Sequence, residues 1–152
     1  MKLHLEPVTA VNRAAVLALA PAPGQEGFLE STADCLAEAD SYFRWRPVGI
    51  YDEKVLVGFA MYGFFPQYFP FGRVWLDRLL IDRRYQGQGY GRAAMSLLLE
   101  RLKEEYPHRR KTYLSVVEGN LAAEMLYRSF GFSYTGERDI HGERVMVRKR
   151  KN

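Results

Sequence analysis

The sequence holds one cysteine and three histidines in 152 residues, and no apolar run approaches the length of a membrane span. A lone Cys35 forms no internal disulfide, and the scattered His4, His108 and His141 have no metal-ligand spacing, so no metal site is expected. Cys35 falls among apolar helix positions, which suits buried packing better than a nucleophile. The stretch Met1-Lys2-Leu3-His4-Leu5-Glu6-Pro7 interrupts its apolar residues with charge, unlike a secretory leader. A cytoplasmic protein without a membrane partner is expected. Internal repeats and low-complexity segments are also missing.

Apolar residues make up 47% and charged residues 26%, which supports a folded chain rather than a disordered one. At this length one domain spanning residues 1–152 is expected. The net charge of +4 could suggest a nucleic-acid partner, but much of the excess lies in Arg148-Lys149-Arg150-Lys151. That stretch reads as a solvated basic tail over about 148–152, and no nucleic-acid partner is expected. A second basic group, Arg83, Arg84 and Arg92, surrounds a glycine-rich segment.

Apolar periodicity and turn residues give the order of elements. A short strand over 3–8 precedes a helix over 12–19, with Asn12 as its cap, and a second helix covers about 28–41. Strands over 47–51 and 54–65 form a hairpin across Asp52-Glu53, and 73–81 reads as a central strand because it is nearly all bulky and apolar. Within it, strict alternation would put Asp77 on one face with Trp75, Leu79 and Ile81. A helix over 90–106 ends before Pro107, a strand covers 112–117, and Asn120 caps a helix closed by Gly131. Strands over 132–139 and 143–149 complete a mixed α/β chain with about four helices.

Between the strand ending at Ile81 and the helix beginning near Tyr90 lies Gln86-Gly87-Gln88-Gly89-Tyr90-Gly91-Arg92. Glycines at a strand-to-helix turn let a ligand approach the backbone, and the free amides of the first helical turn attract an anion. A nucleotide-triphosphate loop would need Lys and Ser or Thr after Gly91, where Arg92-Ala93 stands. Gly89-x-Gly91-x-x-Ala94 has dinucleotide spacing, yet it lies seven residues beyond its strand. The acids about 20 residues on, which should end a strand, fall in a helix.

The remaining pattern, Gln86-x-x-Gly89-x-Gly91, is followed by Asn120-x-x-Ala123-x-x-x-Tyr127, whose three residues share one helical face. Together these resemble the GCN5-related N-acetyltransferase (GNAT) superfamily. Val57-Gly58-Phe59-Ala60-Met61-Tyr62-Gly63, Gly72-Arg73-Val74-Trp75-Leu76-Asp77-Arg78 and Gly142-Glu143-Arg144-Val145-Met146-Val147 are similar to stretches of bacterial spermine/spermidine N-acetyltransferases of the Blt operon type, as is Glu30-Ser31-Thr32.

The resemblance implies a mostly antiparallel sheet splayed between its fourth and fifth strands, and acetyl-CoA as cosubstrate without a metal. It implies that Gln86, Gly87, Gln88, Gly89, Tyr90, Gly91 and Arg92 hold pyrophosphate, while Leu79, Leu80, Ile81, Asn120, Ala123 and Tyr127 line the pantetheine arm. Tyr127 would protonate the departing sulfur, with acetyl passing directly to a small-molecule amine in a ternary complex.

A primary amine of pKa about 10.4 is less than ~0.1% neutral at pH 7, so the site must take up a proton. Asp77 is the candidate base, with an ion pair to Arg73 or a neighbouring basic residue as the competing role. Glu30 and Trp75 are candidate substrate contacts, and plain surface exposure competes for Glu30. A protein-amine acetyltransferase and a catalytically silent acyl-CoA-binding regulator stand as alternatives, and a homodimer is left open.

Overall fold

In the computed structural model, which describes residues 1–25 and 31–151, the chain begins with β1 (Leu3–Pro7), α1 (Arg13–Leu17) and α2 (Thr32–Ser41). The strands β2 (Trp45–Asp52), β3 (Val55–Phe65) and β4 (Arg73–Ile81) follow, and then α3 (Tyr90–Glu105). β5 (Lys111–Val116), α4 (Leu121–Ser129), β6 (Ser133–Arg138) and β7 (Arg144–Lys149) complete it. The sheet order is β1-β2-β3-β4-β5-β7-β6, so the apolar run 73–81 does occupy the middle.

Side chains of β3 alternate between two buried clusters, which shows that helices cover both faces. Ala60 and Tyr62 join Ala94, Met95, Leu98 and Leu102 of α3. Phe59 and Met61 join Val16, Leu19, Cys35 and Leu36 from the α1 and α2 side. Burying each Val, Leu, Phe or Met among them stabilises by about 1.5–3 kcal/mol. Cys35 is thus packing material, as its neighbours in the sequence imply.

Among the described residues every strand pair is antiparallel except β4 and β5, which meet only at Val74↔Thr112 and Trp75↔Tyr113. From Leu76 to Ile81, β4 is paired only with β3. The strands therefore diverge, and this gap between the fourth and fifth strands is the expected splay.

One feature of β4 corrects the simple alternation. Met61 pairs with Arg78 and Tyr62 with Leu76, leaving Asp77 as an extra residue at a β-bulge. The bulge reverses parity along the strand. Val74 and Leu76 pack on the α3 side, and so do Leu79 and Ile81, while Leu80 packs on the α2 side. Asp77 therefore does not share a face with Leu79 and Ile81 as alternation predicts.

Helix ends follow their caps, with one exception. Ser31 accepts from the Asp34 amide at 3.1 Å and starts α2, and Asn120 accepts from the Ala123 amide at 3.3 Å and starts α4. The expected start of the second helix at residue 28 lies outside the described residues. Asn12 does not cap α1 with its side chain; it accepts from the Thr9 amide and donates to the Pro7 carbonyl, so its amide shapes the preceding turn instead. Arg148 and Lys149 belong to β7, opposite Thr112 and Lys111, rather than to a solvated tail. Arg148 Nε donates to the Phe130 carbonyl at 2.9 Å, and Arg150 donates to the Pro107 carbonyl at 2.8 Å.

Candidate functional site

The splay opens a cavity of about 290 Å³ bounded by Leu79–Ile81 of β4, the glycine-rich turn and α4. Gln86, Gly87, Gly89, Tyr90 and Gly91 line it from one side; Asn120, Ala123 and Tyr127 line it from the other, and Gln25 reaches it from the loop after α1. The helical face read from the Asn120, Ala123 and Tyr127 spacing is thus the face turned to the cavity. Gln88 and Arg92 do not line it. Gln88 donates to the Arg84 carbonyl at 3.4 Å, and the exposed Arg92 lies over the Phe130 ring at 5.4 Å.

The turn is shaped for a ligand carrying negative charge. Gly89 caps α3 with φ of +86°, a conformation that residues with a Cβ resist, and it has no side chain to occupy the first-turn amides. No acidic residue lies in that first turn, so the positive end of the helix dipole is not offset locally. A Cβ built on Gly87 or Gly89 would meet nothing within 4 Å, which leaves room for a ligand against the backbone. Gln86 braces the turn by donating to the Ile81 carbonyl at 3.0 Å. Tyr90 anchors its far side through a 2.6 Å hydrogen bond to Asp52, which also accepts from the Lys2 amide.

Asp82, which sequence reasoning missed, supports this turn from beneath. Its carboxylate is almost wholly buried and accepts from the Ala20 amide at 2.9 Å, the Arg84 amide at 3.1 Å and Arg84 Nε at 2.7 Å. Burial alone would raise its pKa, but these hydrogen bonds and the Arg84 charge outweigh it and hold Asp82 below the usual range. An Asp directly after a strand and before a basic pair is the only trace of this role in the sequence.

On the α2 side of the bulge the electrostatics change sign. Asp77 is reached by solvent, yet protein surrounds it closely enough for desolvation to lead in raising its pKa to about 6. The carboxylates of Glu38, Glu143 and Asp139 raise it further, and the Arg78 cation opposes them. Arg73 is not its ion-pair partner: Arg73 binds Glu137 at 3.0 Å and covers the Tyr113 ring at 4.1 Å. Tyr127 is half-buried at the cavity wall, and burial pushes its pKa up to about 12. Arg78 lowers that value and Glu143 raises it, so Asp77 and Tyr127 respond to the same two charges.

Trp75 is half-buried between the rings of Tyr68 and Tyr113, at 5.6 Å from each. Its buried indole Nε1 has no hydrogen-bond partner among the described residues. Glu30 lies outside the described residues.

Comparison with known proteins gives the family and the fold. The family described as "Acetyltransferase (GNAT) family" matches residues 13–132. The spermine/spermidine N(1)-acetyltransferase of Bacillus subtilis strain 168 is 47% identical, over 98% of this chain and 99% of the relative. A probable spermine N(1)-acetyltransferase of Bacillus subtilis subsp. natto is 46% identical over the same shares. Among solved structures, an acetyltransferase from Thermus thermophilus superposes with a TM-score of 0.73 at 23% identity, covering 98% and 97% of the two chains. An aminoglycoside acetyltransferase in complex with coenzyme A superposes with a TM-score of 0.80 at 19% identity, covering 98% and 95%.

Proposed function

The chain belongs to the GNAT acetyltransferase family, and on that premise we propose that it acetylates a primary amine of spermidine or spermine, with acetyl-CoA held in the cavity at the splay. The near-full-length similarity to polyamine acetyltransferases carries the substrate, and the charges around Asp77 support it. Glu38, Asp139 and Glu143 direct negative charge at Asp77, in a chain whose net charge is +4. A polycation would otherwise be repelled; this local field attracts it.

Acetyl-CoA supplies an acetyl thioester when bound. The first-turn amides of α3 would take its pyrophosphate, and Asn120, Ala123 and Leu79–Ile81 would flank its pantetheine arm. Asp77 accepts a proton from the substrate ammonium, directly or through water, which frees the amine lone pair to attack the thioester carbonyl. Its pKa near 6 makes it a stronger base than an ordinary carboxylate while keeping it mostly ionised at neutral pH. The neighbouring carboxylates and Trp75 would hold the remaining charged nitrogens and methylenes.

Tyr127, with its pKa near 12, stays protonated and donates its hydroxyl toward the sulfur. Transfer of that proton to a thiolate of ordinary pKa about 8.5 is uphill by roughly a thousandfold, with the lowering by Arg78 already included. Holding both reactants in one site accounts for much of the acceleration. The chain would act as a single N-acetyltransferase domain in the cytoplasm, with a small-molecule amine as its partner.

A panel of spermidine, spermine, free lysine and a lysine peptide, read by release of coenzyme A thiol, tests the proposal. Higher kcat/KM for the polyamines is expected. Equal or better turnover of the peptide would favour a protein-amine acetyltransferase instead.

A further inference from the structure

Asp82 joins three segments that lie apart in the sequence. Its backbone amide donates to the Val57 carbonyl of β3 at 2.9 Å, fixing where β4 ends. One carboxylate oxygen accepts from the amide and Nε of Arg84, which sets the short turn leading to Gly87 and Gly89. The other accepts from the Ala20 amide, while the Ala20 carbonyl accepts from the Arg83 amide at 2.8 Å. Residues 20 and 82–83 are thus clasped in both directions.

The Ala20 loop is well placed to matter. It carries Gln25, which reaches the cavity. Arg83 and Arg84 lie on the turn side of the clasp, and Arg84 is the cation in contact with Asp82. A buried carboxylate with three donors is costly to leave half-satisfied, so moving either the turn or the loop disturbs the other.

We propose that Asp82 is a positioning residue that transmits occupancy of the glycine-rich turn to the loop carrying Ala20 and Gln25, so that cofactor binding sets the Gln25 wall of the cavity. The inference rests on the reading of the cavity as the cofactor site, but not on which amine is acetylated.

Amide hydrogen exchange with and without coenzyme A tests it, with calorimetry on the same samples. In the wild type, coenzyme A should slow exchange at the Ala20 and Arg83 amides by about tenfold or more, because it stabilises the clasped arrangement. Asp82→Asn should still bind coenzyme A, more weakly, without that protection. It should also raise KM for acetyl-CoA by about fivefold or more while kcat stays within about twofold. Arg84→Gln keeps the Asp82 to Ala20 bond and should keep the protection.

Unchanged Ala20 exchange in coenzyme A-saturated wild type overturns the proposal even if Asp82→Asn fails to fold. Full protection in Asp82→Asn overturns it as well. Failure to bind coenzyme A at all would instead remove the cofactor reading beneath it.

Discussion

Glu143, immediately before β7, raises the pKa of Asp77 in the middle of β4, although β5 stands between those strands in the sheet. The splay is what makes this contact of charges intelligible. With only two rungs joining β4 to β5, the turn between β6 and β7 can bring its carboxylates over the gap. Glu143→Gln removes a like charge, so the Asp77 pKa should fall and the acid limb of kcat/KM for spermidine should move to lower pH. KM for spermidine should rise severalfold as a charge contact is lost. A pH profile identical to wild type would show that Glu143 does not act on the base.

Asp77→Asn should lower kcat/KM for polyamines at least ~tenfold and erase the limb centred near pH 6, with partial recovery at high pH as neutral amine accumulates. Its effect on stability has the opposite sign. A carboxyl whose folded pKa of about 6 exceeds its ordinary 3.8 contributes fully to stability below pH 3.8 and loses that contribution as pH rises through 6. At pH 7.5 the Asn variant should therefore melt above wild type, and the advantage should shrink between pH 6 and 4. Thermal melts across that range check it.

Tyr127→Phe removes the hydroxyl and leaves the ring packed near Phe132, with centroids 6.0 Å apart in the parent. kcat should drop by ~10²–10⁴ with acetyl-CoA affinity within about twofold. Stopped-flow thiol release and calorimetry separate the two quantities. Wild-type turnover would leave Tyr127 with packing alone.

Gly89→Val should weaken acetyl-CoA binding at least ~tenfold, since the left-handed cap costs a side-chain-bearing residue about 1–2 kcal/mol and the new methyls enter the phosphate position. Gly91 has no positive φ, and its nearest neighbour to a built Cβ is Leu126 at 4.0 Å, so Gly91→Ala should fold normally. Calorimetry with circular dichroism distinguishes lost binding from a lost helix. Unchanged affinity in folded Gly89→Val would move the pyrophosphate elsewhere.

These residues also show where sequence reading succeeds and where it stops. Local chemistry is legible: 73–81 has the composition of a central strand, Asn120 caps α4, and Gly131 at φ of +93° closes it. The spacing from Asn120 to Tyr127 defines a face without any knowledge of what that face meets. Relations between distant segments are not legible in this way. The bulge at Asp77 exists only by comparison with the pairing of Met61 and Tyr62 across from it. Arg73 chooses Glu137, 64 residues away, over the nearer Asp77. Asp82 reveals its role only when Ala20, 62 residues earlier, is folded against it.

The carboxylates around Asp77 bear on how a catalytic cycle ends as much as on how it begins. Acetylation converts one ammonium of a polyamine into a neutral amide, so the product carries one positive charge fewer than the substrate. A site whose attraction is largely electrostatic then grips the product less tightly than the next incoming substrate. On the proposed reading, a field that recruits a polycation would also favour its replacement, lessening product inhibition without any dedicated release step.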